Sequence, residues 1–147
     1  MKKDKRKVKI LFVHSTTTLG LFISAVTRGS CNHVALLIGD DVYSMETEGL
    51  RVFSKAEYYS HNFILDSRDI NVKAYLAIEF LNKHSKIKYD WRRSGLWPFR
   101  NIIENTDEIT RWNCVEMVYY TLRDQLITLW DGSNISPAKL MKIVFKR

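Results

Sequence analysis

Cys114 and His33 are the two residues of this chain whose types suit covalent chemistry, as a thiol nucleophile and an imidazole base. Cys114 falls in the first turn of the best helix pattern, with Asn113 as predicted N-cap and Glu116 as capping-box carboxylate. A helix N-terminus carries partial positive charge and free N–H groups, which lower the pKa of a thiol and can bind an oxyanion. The alternative is a small apolar residue packed inside the helix.

His33 opens the most apolar stretch of the sequence, residues 33–38, which we predict to be a buried strand. A neutral imidazole at a rigid strand end can take the proton of a nearby thiol and so complete a Cys–His pair. The alternative is a histidine bonded to the neighbouring backbone. The other histidines stand in polar contexts, and we predict that His14, His61 and His84 lie at the surface.

A base histidine is usually oriented by a third polar group, and the predicted hairpin after residue 38 supplies candidates. The return strand passes beside His33 near residues 46–48. A two-residue turn at 39–40 places His33 opposite Glu46, whereas a turn at 40–41 places it opposite Glu48. We favour Glu46 and keep Glu48 as the second candidate, with solvent exposure as the alternative for both.

Metal and cofactor chemistry are poorly supported by the spacing of the ligand residues. A metal site would combine Cys31 and His33 with Cys114 and one more ligand, but no paired C-x-x-C or H-x-x-x-H spacing accompanies them. The chain also lacks a glycine-rich phosphate loop, a G-x-S-x-G elbow and an H-E-x-x-H motif. We therefore expect no metal and no cofactor. The chain has 2 cysteines, too few for a disulfide scaffold, and we expect both to be free thiols.

The elements that must position these residues follow an α+β pattern in one domain, residues 10–147. Residues 89–110 have no regular pattern and form an aromatic-rich loop that is a candidate for substrate contact. Strands are predicted at 8–13, 33–38, 42–45, 50–53 and 63–65, helices at 19–27, 71–84 and 114–126, a helical turn at 55–60, and a last helix from Ser136 and Pro137.

A basic arm, residues 1–9, precedes the domain and carries most of its charge. Six basic residues and one acidic residue give the arm +5 of the net +7, so the body carries only +2. Such an arm can contact nucleic acid or an anionic membrane, but we interpret it as a solvated tail. The apolar run after it is too short for a signal peptide or a membrane span, and we expect a cytoplasmic location.

Four sequence blocks resemble the motifs of the circularly permuted NlpC/P60 papain-like cysteine hydrolases, in which the histidine precedes the cysteine. The blocks run in the family's order from about Thr27 to Leu140. They are the histidine motif at Thr27–Val34 with Gly49-Leu50, the Tyr-Asp pair at Tyr89 and Asp90, the cysteine motif with Trp112, Cys114 and Glu116, and the closing Ser-Pro-x-x-Leu at 136–140.

The resemblance implies a small papain-like domain whose antiparallel sheet carries His33 and packs on the helix that carries Cys114. It also implies thiol hydrolysis of an amide or ester bond in a peptide, peptidoglycan or lipid substrate. The backbone N–H of Cys114 and the Tyr89 hydroxyl would stabilise the oxyanion. Trp112 is a candidate for an apolar substrate groove together with Trp91, Trp97 and Phe99, with core packing as the alternative for each.

Two departures from the family pattern support a second hypothesis. The family's acidic residue stands five positions before the glycine, where this chain has Ser44, and Val115 replaces the serine that often follows the cysteine. A papain-like domain that has lost activity would instead act as a binding module whose arm contacts nucleic acid or an anionic surface. The compact size would suit a phage or viral protein of the host cytoplasm or virion. The sequence does not determine the oligomeric state.

Overall fold

The computed structural model describes residues 5–16, 30–89, 111–133 and 135–145. Five strands form one antiparallel sheet in the order β4-β3-β2-β1-β5. They are β1 (Val8–His14), β2 (His33–Ile38), β3 (Asp41–Glu46), β4 (Gly49–Ser54) and β5 (Phe63–Ile70). The helices are α1 (Lys55–His61), α2 (Ala74–Lys83), α3 (Cys114–Arg123) and α4 (Pro137–Phe145). Two short strands, β6 (Lys88–Tyr89) and β7 (Arg111–Trp112), pair in parallel.

The central strand β2 is covered on both faces, because every one of its six residues is buried. This explains its continuous apolar sequence, since a strand with one face in water would alternate apolar and polar residues. Two clusters cover the faces, and we call them the helix face and the α1 face. The helix face joins the sheet to α2, α3 and α4 and includes Val34, Leu36, Met45, Leu81, Met117 and Leu140. The α1 face includes Leu11, Val13, Ala35, Leu37, Val42 and Tyr58.

The hairpin between β2 and β3 turns at the earlier of the two predicted positions. Ile38 pairs with Asp41 and Leu37 with Val42, which leaves residues 39–40 as the turn. Gly39 adopts a φ of 61°, a left-handed conformation that a glycine takes without strain. Continued along the strands, this register places Glu46 and not Glu48 opposite His33.

The structure confirms the α+β prediction and most of the predicted elements. Cys114 begins α3 and Pro137 begins α4, as predicted from the caps. The largest difference is β5, which continues through polar residues to Ile70. Its pairing with β1 supplies the hydrogen bonds, so a strand forms there without the apolar alternation from which strands are predicted. The predicted helix 19–27 and most of the predicted loop 89–110 lie outside the described residues.

The first strand begins at Val8, where it was predicted to begin, and so overlaps the basic arm of residues 1–9. Val8 is buried and begins β1, so the sheet includes two residues that we had assigned to the basic arm. Lys7 and Lys9 both lie within ion-pair distance of Asp69, at 3.8 and 3.4 Å. Part of the positive charge of the arm therefore lies beside an acidic residue of the sheet. Every helix in the described ranges is too short or too polar to cross a bilayer.

Candidate functional site

Cys114 is the first residue of α3, and the capping box predicted around it is present. The Asn113 side chain accepts a hydrogen bond from the Glu116 N–H at 2.8 Å. In return, Glu116 Oε1 accepts one from the Asn113 N–H at 3.2 Å. These bonds hold the first turn of α3 in place, and the thiol with it.

The thiol of Cys114 is buried, with 0% of the residue exposed. Burial raises its pKa to about 12, although the backbone N–H of Val34 acts in the opposite direction. Desolvation therefore outweighs the lowering that we expected from the helix N-terminus, because a thiolate costs more than a thiol in an apolar site. In this closed structure Cys114 is a protonated thiol at neutral pH.

His33 heads a chain of hydrogen bonds that crosses to the neighbouring strand. Its Nε2 atom lies 2.7 Å from Ser44 Oγ, and Ser44 Oγ donates to Glu46 Oε1 at 2.8 Å. A serine hydroxyl has one proton, so Nε2 must carry its own hydrogen and donate it to Ser44. This assignment leaves a lone pair on Nδ1, the form that a general base requires.

The charge state of His33 also suits a base. Burial lowers its pKa below the ordinary value of 6.5, while the carboxylate of Glu46 acts to raise it. The net direction is downward, so the imidazole is neutral at pH 7 and can accept a proton.

Ser44 is therefore the direct partner of His33, and Glu46 acts through it. Glu46, which the sequence favoured as the orienting residue, belongs to this hydrogen-bonded chain but contacts His33 through Ser44 and not directly. The reason is geometric, since His33 lies diagonally across from Ser44 and a histidine is long enough to reach a diagonal neighbour. Glu48 is exposed in the turn after β3, away from these contacts.

Cys114 and His33 lie at the same end of β2 but are not bonded to each other. The Cys114 thiol is next to the Val34 N–H, one residue along from His33. Among the hydrogen bonds of the described residues, none joins the thiol to the imidazole. Cys114 belongs to the helix-face cluster, whereas the alternation of β2 places the His33 side chain on the α1 face with Ala35. Their direct pairing thus stays a prediction.

Tyr58, which the sequence interpretation did not single out, also reaches this end of the sheet. It is 2% exposed, and its hydroxyl has no hydrogen-bond partner among the described residues. Ser44 lies near enough to lower the pKa of Tyr58, yet not in hydrogen-bonding geometry; burial dominates and raises that pKa. An unpaired buried hydroxyl costs about 1–3 kcal/mol. No spacing in the sequence identifies such an atom, because its burial depends on how α1 packs.

The predicted substrate residues are only partly described. Trp112 is 4% exposed and stacks between Phe80 and Tyr120, at ring distances of 5.8 and 5.4 Å. It is thus a core residue in this structure, and its place in a substrate groove stays a prediction. The backbone of Tyr89 pairs with that of Trp112, but the Tyr89 side chain lies outside the described part of the chain. Trp91, Trp97 and Phe99 also lie outside it.

The remaining histidines and the second cysteine have structural surroundings. His61 is exposed as predicted, but His14 and His84 are half-buried, so the surface prediction is wrong for those two. Each bonds a backbone carbonyl through Nδ1, and the His84 ring lies tilted against that of Trp112 at a ring distance of 5.0 Å. Cys31 is a free, buried thiol whose pKa burial raises to about 11. Across the described ranges, no three His, Cys, Asp or Glu residues group closely enough to hold a metal ion.

The site brings a buried thiol at a helix N-terminus and a neutral, oriented imidazole to the same end of β2, on opposite faces of the sheet. These are the two groups of an acyl transfer, in which the thiol attacks a carbonyl carbon and the imidazole moves the proton, and that reaction requires them to come within hydrogen-bond reach. No family model matches this sequence, and a search of the curated proteins finds none with significant similarity to it. The geometry of the site and the motif resemblance are therefore the two grounds for a function.

Proposed function

We propose that this protein is a cysteine hydrolase of the permuted NlpC/P60 papain-like type, with Cys114 as nucleophile and His33 as general base. The observation that carries the proposal is the hydrogen-bonded chain from His33 through Ser44 to Glu46. It orients the imidazole and leaves Nδ1 free, at the end of β2 where the thiol of Cys114 also lies. A histidine with only a structural role would have no need of a carboxylate held behind it.

The reaction begins when Cys114 Sγ adds to the carbonyl carbon of an amide or ester. His33 Nδ1 takes the thiol proton, and the resulting imidazolium is stabilised by Glu46 through Ser44. The free N–H groups in the first turn of α3 bind the oxyanion. The intermediate then collapses, and the leaving group departs with the proton from His33. Water, activated by the same imidazole, hydrolyses the thioester and restores the thiol.

The charge states favour a neutral resting pair over a thiolate–imidazolium ion pair. Burial raises the pKa of Cys114 to about 12 and lowers that of His33, so the proton stays on sulfur at rest. Proton transfer then accompanies the attack, as in serine hydrolases, and does not precede it. Because Cys114 is 0% exposed, the substrate must enter through a local opening of the site.

The substrate class follows from the resemblance and stays broad. An amide in a peptide, a peptidoglycan stem or an N-acyl group is consistent with this chemistry, and so is an ester in a lipid. All of these present a carbonyl carbon to the thiol, and the described residues around Cys114 do not distinguish among them.

The test is alkylation of the two thiols by iodoacetamide at pH 7, followed by mass spectrometry. Cys31 and Cys114 are both 0% exposed, so Cys31 serves as an internal reference of equal burial. We expect Cys114 to react faster than Cys31, and His33→Ala to slow Cys114 about tenfold because the base is lost. Cys31 should keep its rate.

His61→Ala is the matched control, because His61 is exposed and lies outside the hydrogen-bonded chain. It should leave both thiols unchanged. If His33→Ala leaves the rate of Cys114 as it was or raises it, the imidazole does not serve the thiol and the proposed function is wrong.

A further inference from the structure

The Tyr58 hydroxyl is unusual in the described part of the chain, where it is the one buried side-chain nitrogen or oxygen without a hydrogen-bond partner. Its ring packs on the α1 face with Val42 and Phe53, at a ring distance of 5.6 Å from Phe53. A phenylalanine would fill the same space without leaving a polar atom unpaired. Packing alone therefore does not account for the hydroxyl.

The surroundings of this hydroxyl are those of the candidate active site. Ser44, Glu46 and Cys114 all lie near enough to act on the pKa of Tyr58, and both acids act to raise it. Tyr58 packs on the α1 face, which by strand alternation also carries His33 and Ser44. Its hydroxyl is therefore beside the hydrogen-bonded chain behind His33, on the face from which the imidazole reaches the Cys114 thiol in the proposed function. Burial raises the pKa of Tyr58 further, so the phenol keeps its proton and is a hydrogen-bond donor across the working pH range.

We infer that the Tyr58 hydroxyl binds the carbonyl oxygen of the acyl substrate and donates a hydrogen bond to the oxyanion formed when Cys114 attacks. This inference rests on the proposed function and deepens it, since it adds a catalytic residue from α1 to the backbone N–H groups of α3. A donor that is already buried and unpaired has no hydrogen bond to break before it meets the substrate, which is the condition for strong electrostatic stabilisation.

The step balances without any change at Tyr58. The Sγ–C bond forms, the π pair of the carbonyl moves to oxygen, and the thiol proton passes to His33. On collapse, the pair returns to the carbon–oxygen bond, the bond to the leaving group breaks, and the leaving group takes the proton from His33. Tyr58 keeps its proton throughout and stabilises only the intermediate charge on oxygen.

The experiment compares two reactions of Cys114 in the native protein and in Tyr58→Phe. The first is acylation by p-nitrophenyl acetate, followed as a burst of p-nitrophenolate, which passes through an oxyanion. The second is alkylation by iodoacetamide, which attacks a tetrahedral carbon and forms none. We expect Tyr58→Phe to slow acylation about tenfold or more and to change alkylation less than about twofold. Its melting temperature should stay the same or rise, because an unpaired buried hydroxyl is removed.

Tyr59→Phe is the control, because Tyr59 is on the same helix, 37% exposed, with its ring beside Lys55. It should change neither rate. Cys114→Ala measures the background reaction at Cys31, which is subtracted from both rates.

Each other outcome overturns the inference, and one of them also overturns the proposed function. If Tyr58→Phe acylates as fast as the native protein, the inference is wrong and the proposed function stands. If acylation and alkylation slow equally, Tyr58 acts on the thiol or the fold and not on an oxyanion, and the inference is again wrong. If the native protein shows no burst that depends on Cys114, the proposed function fails and this inference with it.

Discussion

Ser44 connects the imidazole of His33 to the carboxylate of Glu46. Its hydroxyl accepts from His33 and donates to Glu46, which fixes the tautomer of the imidazole and passes the effect of the negative charge to it. The carboxylate stands two residues along β3 from Ser44 and acts on the imidazole through the serine hydroxyl. The orienting function is thereby divided between two side chains.

The effect of Glu46 on His33 should be visible in the pH dependence of Cys114 acylation. His33 acts as a base only when neutral, so the rate of Cys114 acylation should fall as the pH drops through the pKa of His33, which burial places below 6.5. Glu46 acts to raise that pKa, so Glu46→Gln should lower it further and move the acid limb to lower pH. The plateau rate should also fall about tenfold, because the imidazolium loses its stabilising charge.

The measurement is the pH–rate profile of p-nitrophenyl acetate acylation. Glu48→Gln removes an equal charge from the exposed turn two residues away and should leave the acid limb in place. A shift of the limb to higher pH in Glu46→Gln, or an equal shift in Glu48→Gln, would contradict the role assigned to Glu46.

At the scale of elements, α3 is held at its first turn by the bonds that also hold Cys114, the proposed nucleophile, in place. Asn113 is fully buried and accepts from the Glu116 N–H, so it satisfies one of the backbone donors that the helix itself leaves without a partner. The stability of α3 and the position of Cys114 therefore depend on the same cap. A weakened cap should loosen both.

Asn113→Ala should lower the free energy of unfolding by about 1–2 kcal/mol, because the cap acceptor is lost. For a chain of this length, each 1 kcal/mol corresponds to about 3 °C in melting temperature. Thermal unfolding followed by circular dichroism measures the effect. Glu116→Gln is the matched control, since an amide oxygen can still accept from the Asn113 N–H, and it should cost less than about 0.5 kcal/mol. An equal loss in both variants would show that charge, and not the cap geometry, stabilises the turn.

At the scale of the whole molecule, the hairpin of β3 and β4 is joined closely to the chain that leads into β6. Gly49 has a φ of 119°, and a Cβ atom there would lie 2.8 Å from the backbone oxygen of Ile87. Two backbones that are distant in sequence meet at this point, so neither can move aside as a side chain would. Gly49 thereby couples the sheet to the segment that precedes Tyr89.

Gly49→Ala should therefore be severe, with a loss of about 2–4 kcal/mol in the free energy of unfolding from the strained φ and the backbone contact. Gly39→Ala is a matched comparison at a second glycine of positive φ, where the added Cβ meets the flexible Arg6 side chain at 3.3 Å. It should cost about 1–2 kcal/mol. Denaturant unfolding of both variants measures the difference, and an equal loss in the two would show that the Ile87 contact does not matter.

Much of this architecture can be predicted from neighbours in the sequence. The capping box at Asn113 and Glu116, the buried run of β2 and the Pro137 start of α4 all depend on residues within one turn or one strand. Such signals are local because a cap or a periodicity is completed within a few residues. These local signals are enough to place Cys114 and His33 at the starts of their elements without any tertiary contact.

Contacts between elements were decided only by the tertiary structure. The sequence allowed two turns after Ile38, and the register of β2 with β3 selected the one that brings Ser44 and Glu46 toward His33. Burial of the Cys114 thiol, which reverses its expected pKa shift, and of the Tyr58 hydroxyl depends on packing around the two faces of the sheet. Register and burial are set by the sum of many distant contacts, and for this reason no short stretch of sequence could determine them.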